Sequence, residues 1–483
     1  MELTIILAIP VAAALVALAS ERAAKYSTLV ALASVLVLST EAAVRVSRDG
    51  IIVGLGGALT LDPLAALYLW LVSFVGFTAS LYSIGYLHAR EQSHAATPPR
   101  YRQYYPLFNT FIASMLAVAL IADLAVIWIA IELTTLFSAF LVAYEDRTEA
   151  LEAAWKYVML TTMGALIALL GVLIVYYGVN RAGQPVTWTG LVAAAPVLPP
   201  ALLKTAFVLW LIGFGTKAGL VPLHTWLPDA HSQAPASICA LLSGVETSAA
   251  LYMILRLYPA LIRNPGIEHA GTWLLVAGLI TTGTAAFLLL QVRDFKRLFA
   301  FSTVEHMGII LTASALKTSA AGMGAIYQLF GHALVKPVCF YAAGLAMLVL
   351  GTQNIDEARG LLSRSPAVGW AFMLAALAIA GTPPFVLFIS EFSILRAGFT
   401  TGQFAATGLL AAFIVLAFVA ILYNAGRIVF GKPGAGIPDV RLPASSLAAV
   451  GLALVPIVVF GFYLPPPFLV LMRQASMVLG GIS

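Results

Sequence analysis

The chain has 483 residues, 61% of them hydrophobic and only 10% charged, with a formal net charge of +5. Soluble domains carry roughly 25% charged residues, so a chain this apolar cannot cover itself with polar groups and must turn its outer surface to lipid. The 26 basic residues are scattered singly rather than clustered in a stripe, which excludes nucleic-acid binding and leaves them to mark topology.

Apolar runs recur at the length that crosses ~30 Å of hydrocarbon as helix. They predict an all-α integral membrane protein of about fourteen spans, at 3–20, 27–46, 61–87, 107–122, 123–144, 155–178, 201–226, 235–260, 271–292, 299–316, 318–350, 366–395, 404–430 and 446–464. Glu2 stands where a signal peptide would have Lys or Arg, so the first run is expected to be a retained helix. A last stretch, 465–480, is set off by Pro465, Pro466 and Pro467 and is expected to be half a span or an interfacial tail. Inside loops holding Arg22, Lys25, Arg90, Arg293, Lys296 and Arg297 among others outweigh outside loops holding Arg45, Arg181, Arg256 and Arg263 among others by about two to one, with both termini outside. The polar segment 90–105, with Tyr101, Tyr104 and Tyr105, is expected to be a solvated connection. The run 145–147, with Glu149 and Glu152, is expected to be a surface face.

Two spans are interrupted. GFGTKAGLVPLHTWLPDAH, Gly213 to His231, and IAGTPPFVLFISEF, Ile379 to Phe392, each place Gly and Pro in mid-span. Proline removes a backbone donor and clashes with the preceding turn, so both helices should break. Broken backbone at membrane depth is tolerated only inside protein or beside a wet cavity. The breaks fall in spans seven and twelve, an offset that fits two inverted five-helix repeats, spans four to eight and nine to thirteen. The expected divisions are 1–106, 107–262, 263–430 and 431–483.

An ionisable side chain inside a span is costly and marks function until shown otherwise. In chain order the candidates are Glu132 in span five, Lys217 at the first break, His224 after it, Glu246 in span eight, Glu305 and His306 in span ten, His332 and Lys336 in span eleven, and Glu391 after the second break. Glu132 is the expected partner of Lys217. A lysine whose carboxylate can move away is a switchable proton site. His224, an imidazole that titrates near neutrality, suits a proton relay; His231 lies seven residues on with no third metal ligand evident, and Asp229 is expected near the membrane surface. Lys204 is near enough to a span end to snorkel. His332 and Lys336, four apart, share one helical face, and Pro337 should kink that helix. Cys239 and Cys339 form no CxxC and read as small core residues, so no cofactor is expected in this chain.

KAGLVPLHTWLPDAHSQAP with its following SGV, DFKRLFAFSTVEHMG, HALVK and TPPF…SEF resemble the antiporter-like membrane subunits of respiratory complex I and its relatives, over about residues 60–430. The STVEHMG and PPFVLFISEF variants are most similar to the F-type membrane component of group 4 membrane-bound [NiFe] hydrogenases and formate hydrogenlyases. The resemblance implies fourteen core helices, two inverted repeats and translocation of protons or sodium ions. It matches Glu132 to the family's span-five glutamate, Lys217 to its span-seven lysine, Glu391 to its span-twelve charge, and His332 with Lys336 to its central axis. Where the family often has a span-eight lysine this chain has Ser248, with Glu246 two residues earlier.

The function expected is that of a proton-translocating membrane subunit of a redox-driven complex in the cytoplasmic membrane, partnered by other membrane subunits, a peripheral redox arm and the lipid bilayer. The alternatives are a subunit of a multi-subunit sodium/proton antiporter, the membrane part of an ion-coupled uptake system such as an inorganic-carbon pump, a haem-carrying subunit, and a structural scaffold. A haem subunit needs facing histidine pairs near each surface, which the seven histidines do not supply. The absorption spectrum of the purified chain should therefore show no Soret band; a Soret band would replace ion translocation with electron transfer.

Overall fold

The computed structural model describes residues 1–93, 101–145, 147–316, 318–432 and 441–480. Helices α1 (Glu2–Ala19) and α2 (Glu21–Asp49) form an N-terminal pair, joined at Ser20, whose hydroxyl accepts from Ala23 N. A small antiparallel hairpin, β1 (Ile52–Gly54) with β2 (Leu59–Leu61), leads into α3 (Pro63–Ser93). Then come α4 (Tyr101–Leu120), α5 (Leu124–Val142), α6 (Thr148–Arg181), the short α7 (Trp188–Ala194) and α8 (Pro200–Ala218). After the first break follow α9 (Trp226–Gln233), α10 (Ala236–Leu241), a π-helical turn at Leu242–Glu246 and α11 (Thr247–Arg263). The second half holds α12 (Ala270–Gln291), α13 (Phe295–Ala315), α14 (Ser319–Leu350), the short α15 (Leu361–Arg364), α16 (Pro366–Ile379), α17 (Val386–Thr400) and α18 (Phe404–Val429). Helices α19 (Ala444–Phe462) and α20 (Pro466–Leu479) close the chain.

Twelve helices among the described residues are long and apolar enough to cross a membrane. The expected fourth span is α4, and the expected twelfth is two half-length helices, α16 and α17, on either side of the second break. Of the expected solvated connection 90–105, residues 94–100 lie outside the described residues, as does Lys317, while Tyr104 and Tyr105 are buried in α4 rather than solvated.

Burial sorts the helices into an inner and an outer set. The most apolar windows of α10–α11, α13 and α14 are 100%, 94% and 94% buried, whereas those of α18 and α19 are 28% buried and turn Val415, Val419, Val455 and Phe462 outward. An outer face of large aliphatic and aromatic side chains is what a lipid solvent selects. Buried ionisable and amide side chains gather on the inner helices and their neighbours: Glu246 in the π turn, Glu305 and His306 on α13, Gln328, His332 and Lys336 on α14, with Lys217 at the end of α8 and Glu391 on α17. Helix α14 runs as one element through Pro337. A Cβ at Gly244 of the π turn would lie 3.3 Å from the Ala333 carbonyl oxygen and 3.7 Å from Pro337 Cδ. The π turn thus packs closely on the Ala333–Pro337 stretch of α14, where a side chain at 244 would crowd the Ala333 carbonyl oxygen.

Three basic residues differ from their expected loop roles. Arg256 lies inside α11, 5% exposed, with both terminal nitrogens on the Asp62 carboxylate and Nη2 also 2.7 Å from Tyr252 Oη. Its guanidinium also stacks over Tyr252 at 4.8 Å and Trp188 at 5.6 Å. Lys296, in the first turn of α13, is buried and donates to the carbonyl oxygens of Ser232 and Ala234 at 2.8 and 2.6 Å. Each lies on a different side of the membrane in the loop count, so losing both leaves the charge bias as it was. Arg90 forms a two-point ion pair with Glu145 at 3.0 and 2.8 Å, tying the end of α3 to the end of α5. Glu145 is therefore a half-buried anchor rather than a surface charge, while Glu149 and Glu152 are exposed as expected. Lys204 is also exposed.

Asp62 stands just ahead of α3. Burial disfavours its carboxylate, but the Arg256 guanidinium outweighs that and holds the pKa below the usual aspartate value. A depressed acid contributes stability above its ordinary pKa, and loses it as pH falls through the lower folded value. Breaking a buried pair on one side costs about 3–5 kcal/mol. Arg256→Leu should therefore lower the melting temperature of the detergent-solubilised protein at pH 7, and Asp62→Asn with Arg256→Leu should recover part of the loss. Unchanged melting of the single variant would show that the pair contributes nothing.

Candidate functional site

The first break ends α8 at Ala218, with Gly219 in the left-handed region at φ 78°. Gly219 N and Leu220 N return to the carbonyls of Thr216 and Gly215, and Trp226 Nε1 takes the Thr216 carbonyl as well, at 2.8 Å. These bonds satisfy the helix end where water is absent. They also fix Lys217 in the last turn, where the helix dipole favours a cation.

Lys217 Nζ is 2.9 Å from Glu246 Oε1, 2.5 Å from Thr135 Oγ1 and 3.3 Å from the Ile131 carbonyl oxygen. Three acceptors meet the three donors of the ammonium group. Both charged side chains are 2% exposed or less. Glu246 Oε1 also accepts from Tyr157 Oη at 2.7 Å and Ser138 Oγ at 3.3 Å, and Ser138 and Tyr157 are 2.7 Å apart. Glu246 Oε2 has no hydrogen-bond partner.

The expected pairing of Lys217 with Glu132 is therefore corrected to Lys217 with Glu246. Helix α5 turns the Ile131 carbonyl, Thr135 and Ser138 toward the pair, while Glu132 sits to one side of that face, half-buried, with Oε1 unpartnered. Glu132 lines a 290 Å³ cavity between α5 and α6 that includes Trp128, Ile129, Leu133, Leu136, Val158 and Thr162. The π turn carries Glu246 into the position left open. Ser248 bonds back to the Gly244 carbonyl oxygen at 3.0 Å.

Backbone joins this cluster to the next. His332 Nε2 is 3.0 Å from the carbonyl oxygen of Ser243 in the π turn, so that nitrogen carries the hydrogen; Nδ1 has no partner. The His332 and His306 rings are 5.1 Å apart, centre to centre. Lys336 Nζ donates to the Phe299 carbonyl oxygen at 2.6 Å and Ser302 Oγ at 2.7 Å, neither of them a carboxylate. Glu305 is buried with Oε2 unpartnered, and the charges that act on it are those of Glu391 and Lys336.

The second break brings Glu391 into the line. Gly381 takes φ 71° after α16, and a Cβ there would lie 2.2 Å from Glu391 Oε2. Gln328 of α14 donates to His306 Nδ1 at 3.0 Å and to Glu391 Oε1 at 3.5 Å, while its own Oε1 accepts from Ser390 Oγ. His306 Nε2 meets the Ile379 carbonyl oxygen at 3.1 Å.

The structure thus gathers Lys217, Glu246, Glu305, His306, His332, Lys336 and Glu391 in one buried band, with Glu132 at its edge. His224 lies half-buried in the first break with Nδ1 unpartnered, and His231 is buried with Nδ1 2.7 Å from the Leu227 carbonyl oxygen. Asp229 pairs with Lys156 at 3.3 Å and with Arg297. Tyr157, Ser138, Ser390 and Gln328 do not stand out in the sequence as Glu132 or Lys217 do. For Gln328 a signal existed, because Gln328, His332 and Lys336 are spaced four apart and form one polar stripe along an apolar helix. Among the described residues no group of three or more His, Cys, Asp or Glu could hold a metal ion.

A family profile described as NADH:quinone oxidoreductase/Mrp antiporter, TM, matches residues 122–418, and one for the N-terminus of NADH-ubiquinone oxidoreductase (complex I) chain 5 matches 54–97. The hydrogenase-4 component F homolog of Methylacidiphilum infernorum is 36% identical over 78% of this chain and 80% of its own. Among solved structures, the archaeal membrane-bound sulfane sulfur reductase contains a chain that superposes with a TM-score of 0.86 at 23% identity, over 99% of this chain and 97% of that one. A chain of the Mrp complex of Dietzia sp. does so at 0.85 and 22%, over 100% and 99%.

Gly381 needs both its backbone region and its missing side chain. Gly381→Ala should lower stability by about 1 kcal/mol or more and displace Glu391, read as a lower melting temperature of the purified protein. A variant as stable as wild type would show that the second break tolerates a side chain.

Proposed function

The chain belongs to the NADH:quinone oxidoreductase/Mrp antiporter family of membrane subunits, and from that premise we propose that it moves protons across the cytoplasmic membrane as one subunit of a redox-driven complex. The observation that carries the reading is the position of Lys217. Its ammonium group is bound to Glu246 and, at the same time, to the carbonyl of Ile131, directly before Glu132 in α5, and to Thr135, three residues after it. A change of side-chain rotamer passes the cation from one carboxylate toward the other while the α5 acceptors stay within reach. The carboxylate left behind is then free to take a proton.

Displacement of that charge acts on the groups beyond it. Glu246 follows the π-turn backbone whose Ser243 carbonyl holds His332, and His332 lies against His306. Lys336, held only by neutral oxygens, is free to exchange a proton with a mobile partner. In a low local dielectric each displacement is felt strongly by its neighbours. The two breaks, one beside Lys217 and one beside Glu391, support a pair of five-helix repeats over 107–262 and 263–430, flanked by 1–106 and 431–483.

The same geometry bears on partners. Glu132 opens on a cavity between α5 and α6, on a face where Leu136, Trp155, Met159 and Leu166 are exposed. A carboxylate is costly against lipid at this depth, so this face suits contact with another membrane subunit, with the redox arm docked elsewhere on the complex. The likeness to a hydrogenase component favours a redox partner; the equal likeness in fold to an Mrp chain supports, as the alternative, a sodium/proton antiporter subunit.

Ion movement by the intact complex in sealed vesicles tests the reading, with redox turnover recorded alongside. Lys217→Ala should abolish most of the pumping per turnover, since it removes the cation that passes between the two carboxylates. Glu132→Ala should also impair it. Full pumping by Lys217→Ala would make this chain a scaffold, and full pumping by Glu132→Ala alone would remove the two-carboxylate switch.

A further inference from the structure

Gln328 has no titratable group, yet it stands between two that do. It is fully buried on α14, one turn before His332. Its two amide hydrogens have two acceptors, His306 Nδ1 and Glu391 Oε1, and its oxygen has one donor, Ser390 Oγ. Every polar atom of the side chain is used, so its orientation is determined by its surroundings.

The orientation of the amide and the protonation of His306 determine each other. The Ile379 carbonyl can only accept, so His306 Nε2 carries a hydrogen. In the neutral ring Nδ1 is then a lone pair, and it requires the amide nitrogen, not the amide oxygen, to face it. If His306 takes up a second proton, Nδ1 becomes a donor and faces another donor. Turning the amide end over relieves this, because Oε1 then accepts from Nδ1 and Nε2 faces Ser390 Oγ. Ser390 is able to accept, since its one hydrogen can swing from Gln328 Oε1 to the Leu387 carbonyl oxygen, 2.7 Å from Oγ. The turn withdraws the amide hydrogen from Glu391.

We propose that Gln328 is a positioning residue that couples the charge of His306 to Glu391 by reversing its amide while blocking direct proton passage between them. This rests on the proton-translocating reading and deepens it. No covalent bond is made or broken within the amide; two hydrogen bonds exchange direction and one is released. The other titratable groups facing the cluster are Glu305 from α13, and His332 and Lys336 from α14, with His231 of α9 acting on His332. Protons reaching His306 from that side alter the hydrogen bonding of Glu391 without travelling to it.

The test uses the intact complex in sealed vesicles, with proton flux driven by an imposed gradient and followed from pH 5 to 9, roughly the range over which histidine and perturbed carboxylates titrate. Gln328→Met keeps the shape and removes both donor and acceptor; flux should fall about tenfold at every pH while the complex still assembles. Gln328→Glu presents one donor when protonated and none when ionised beside Glu391. Its flux should approach wild type on the acid side and fall on the alkaline side, a profile that a merely structural role would not produce. If Gln328→Met fails to assemble, the Gln328→Glu profile decides. Wild-type flux in Gln328→Met, or a pH-independent loss in Gln328→Glu, overturns the proposal. Lys217→Ala run in parallel separates the two claims. Its silence with normal flux in Gln328→Met removes only the coupling role, whereas normal flux in Lys217→Ala removes the translocation reading itself.

Discussion

A charge buried in a membrane protein must be answered by another charge or by dipoles, and the Lys217–Glu246 pair shows how much structure that takes. Taking two ions out of water costs several kcal/mol each, and their attraction repays this only when the remaining hydrogen bonds are also made. Here the break in α8 delivers the lysine, the π turn delivers the glutamate, and α5 with α6 supply Ile131, Thr135, Ser138 and Tyr157 around them. Two of these elements, the break in α8 and the π turn, depart from regular helix. The π turn is enclosed by protein on all sides, whereas the two breaks are enclosed where they carry Lys217 and Gly381 but leave Pro222, Thr225, Pro383 and Pro384 exposed.

The buried cations are answered in different ways, and the differences separate fixed charges from mobile ones. Arg256 engages Asp62 through its planar fork, adds Tyr252 Oη and rests on two aromatic faces. Several directional contacts hold it in one geometry. Lys296 closes over two carbonyl oxygens of the α9–α10 connection and acts as a cap. Lys217 is a flexible point charge with one carboxylate bound and another on the adjacent helix, and Lys336 has no bound carboxylate. Only the last two are arranged so that a small rearrangement changes what they are paired with.

The sequence made the broken helices legible, because Gly and Pro in mid-span have direct steric consequences. It also made the ionisable residues legible, because charge stands out in an apolar span. It did not show which helix faces which. Spacing along α5 places Glu132 and Thr135 on one helix, but only the packed structure shows that Thr135 meets Lys217 while Glu132 looks aside. The π turn at Leu242–Glu246 has no propensity signature, and that turn carries the carboxylate to the lysine. Arg256 and Lys296 were counted with the loops because each stands within a few residues of other loop charges, and burial could be seen only in three dimensions.

The two halves of the buried band meet through backbone more than through side chains. Between Glu246 and His332 the link is the π-turn carbonyl of Ser243, and at Gly244 the turn lies against Ala333 and Pro337 of α14. Farther on, an amide separates His306 from Glu391. Neither a peptide carbonyl nor a carboxamide passes a proton readily, so a continuous side-chain wire is not what the geometry offers. What crosses these junctions is orientation and charge. Moving the ammonium group of Lys217 changes the field at the π turn and hence at His332, and protonating His306 changes which face of Gln328 meets Glu391. Proton exchange can then remain local at each end while coupling runs the length of the band.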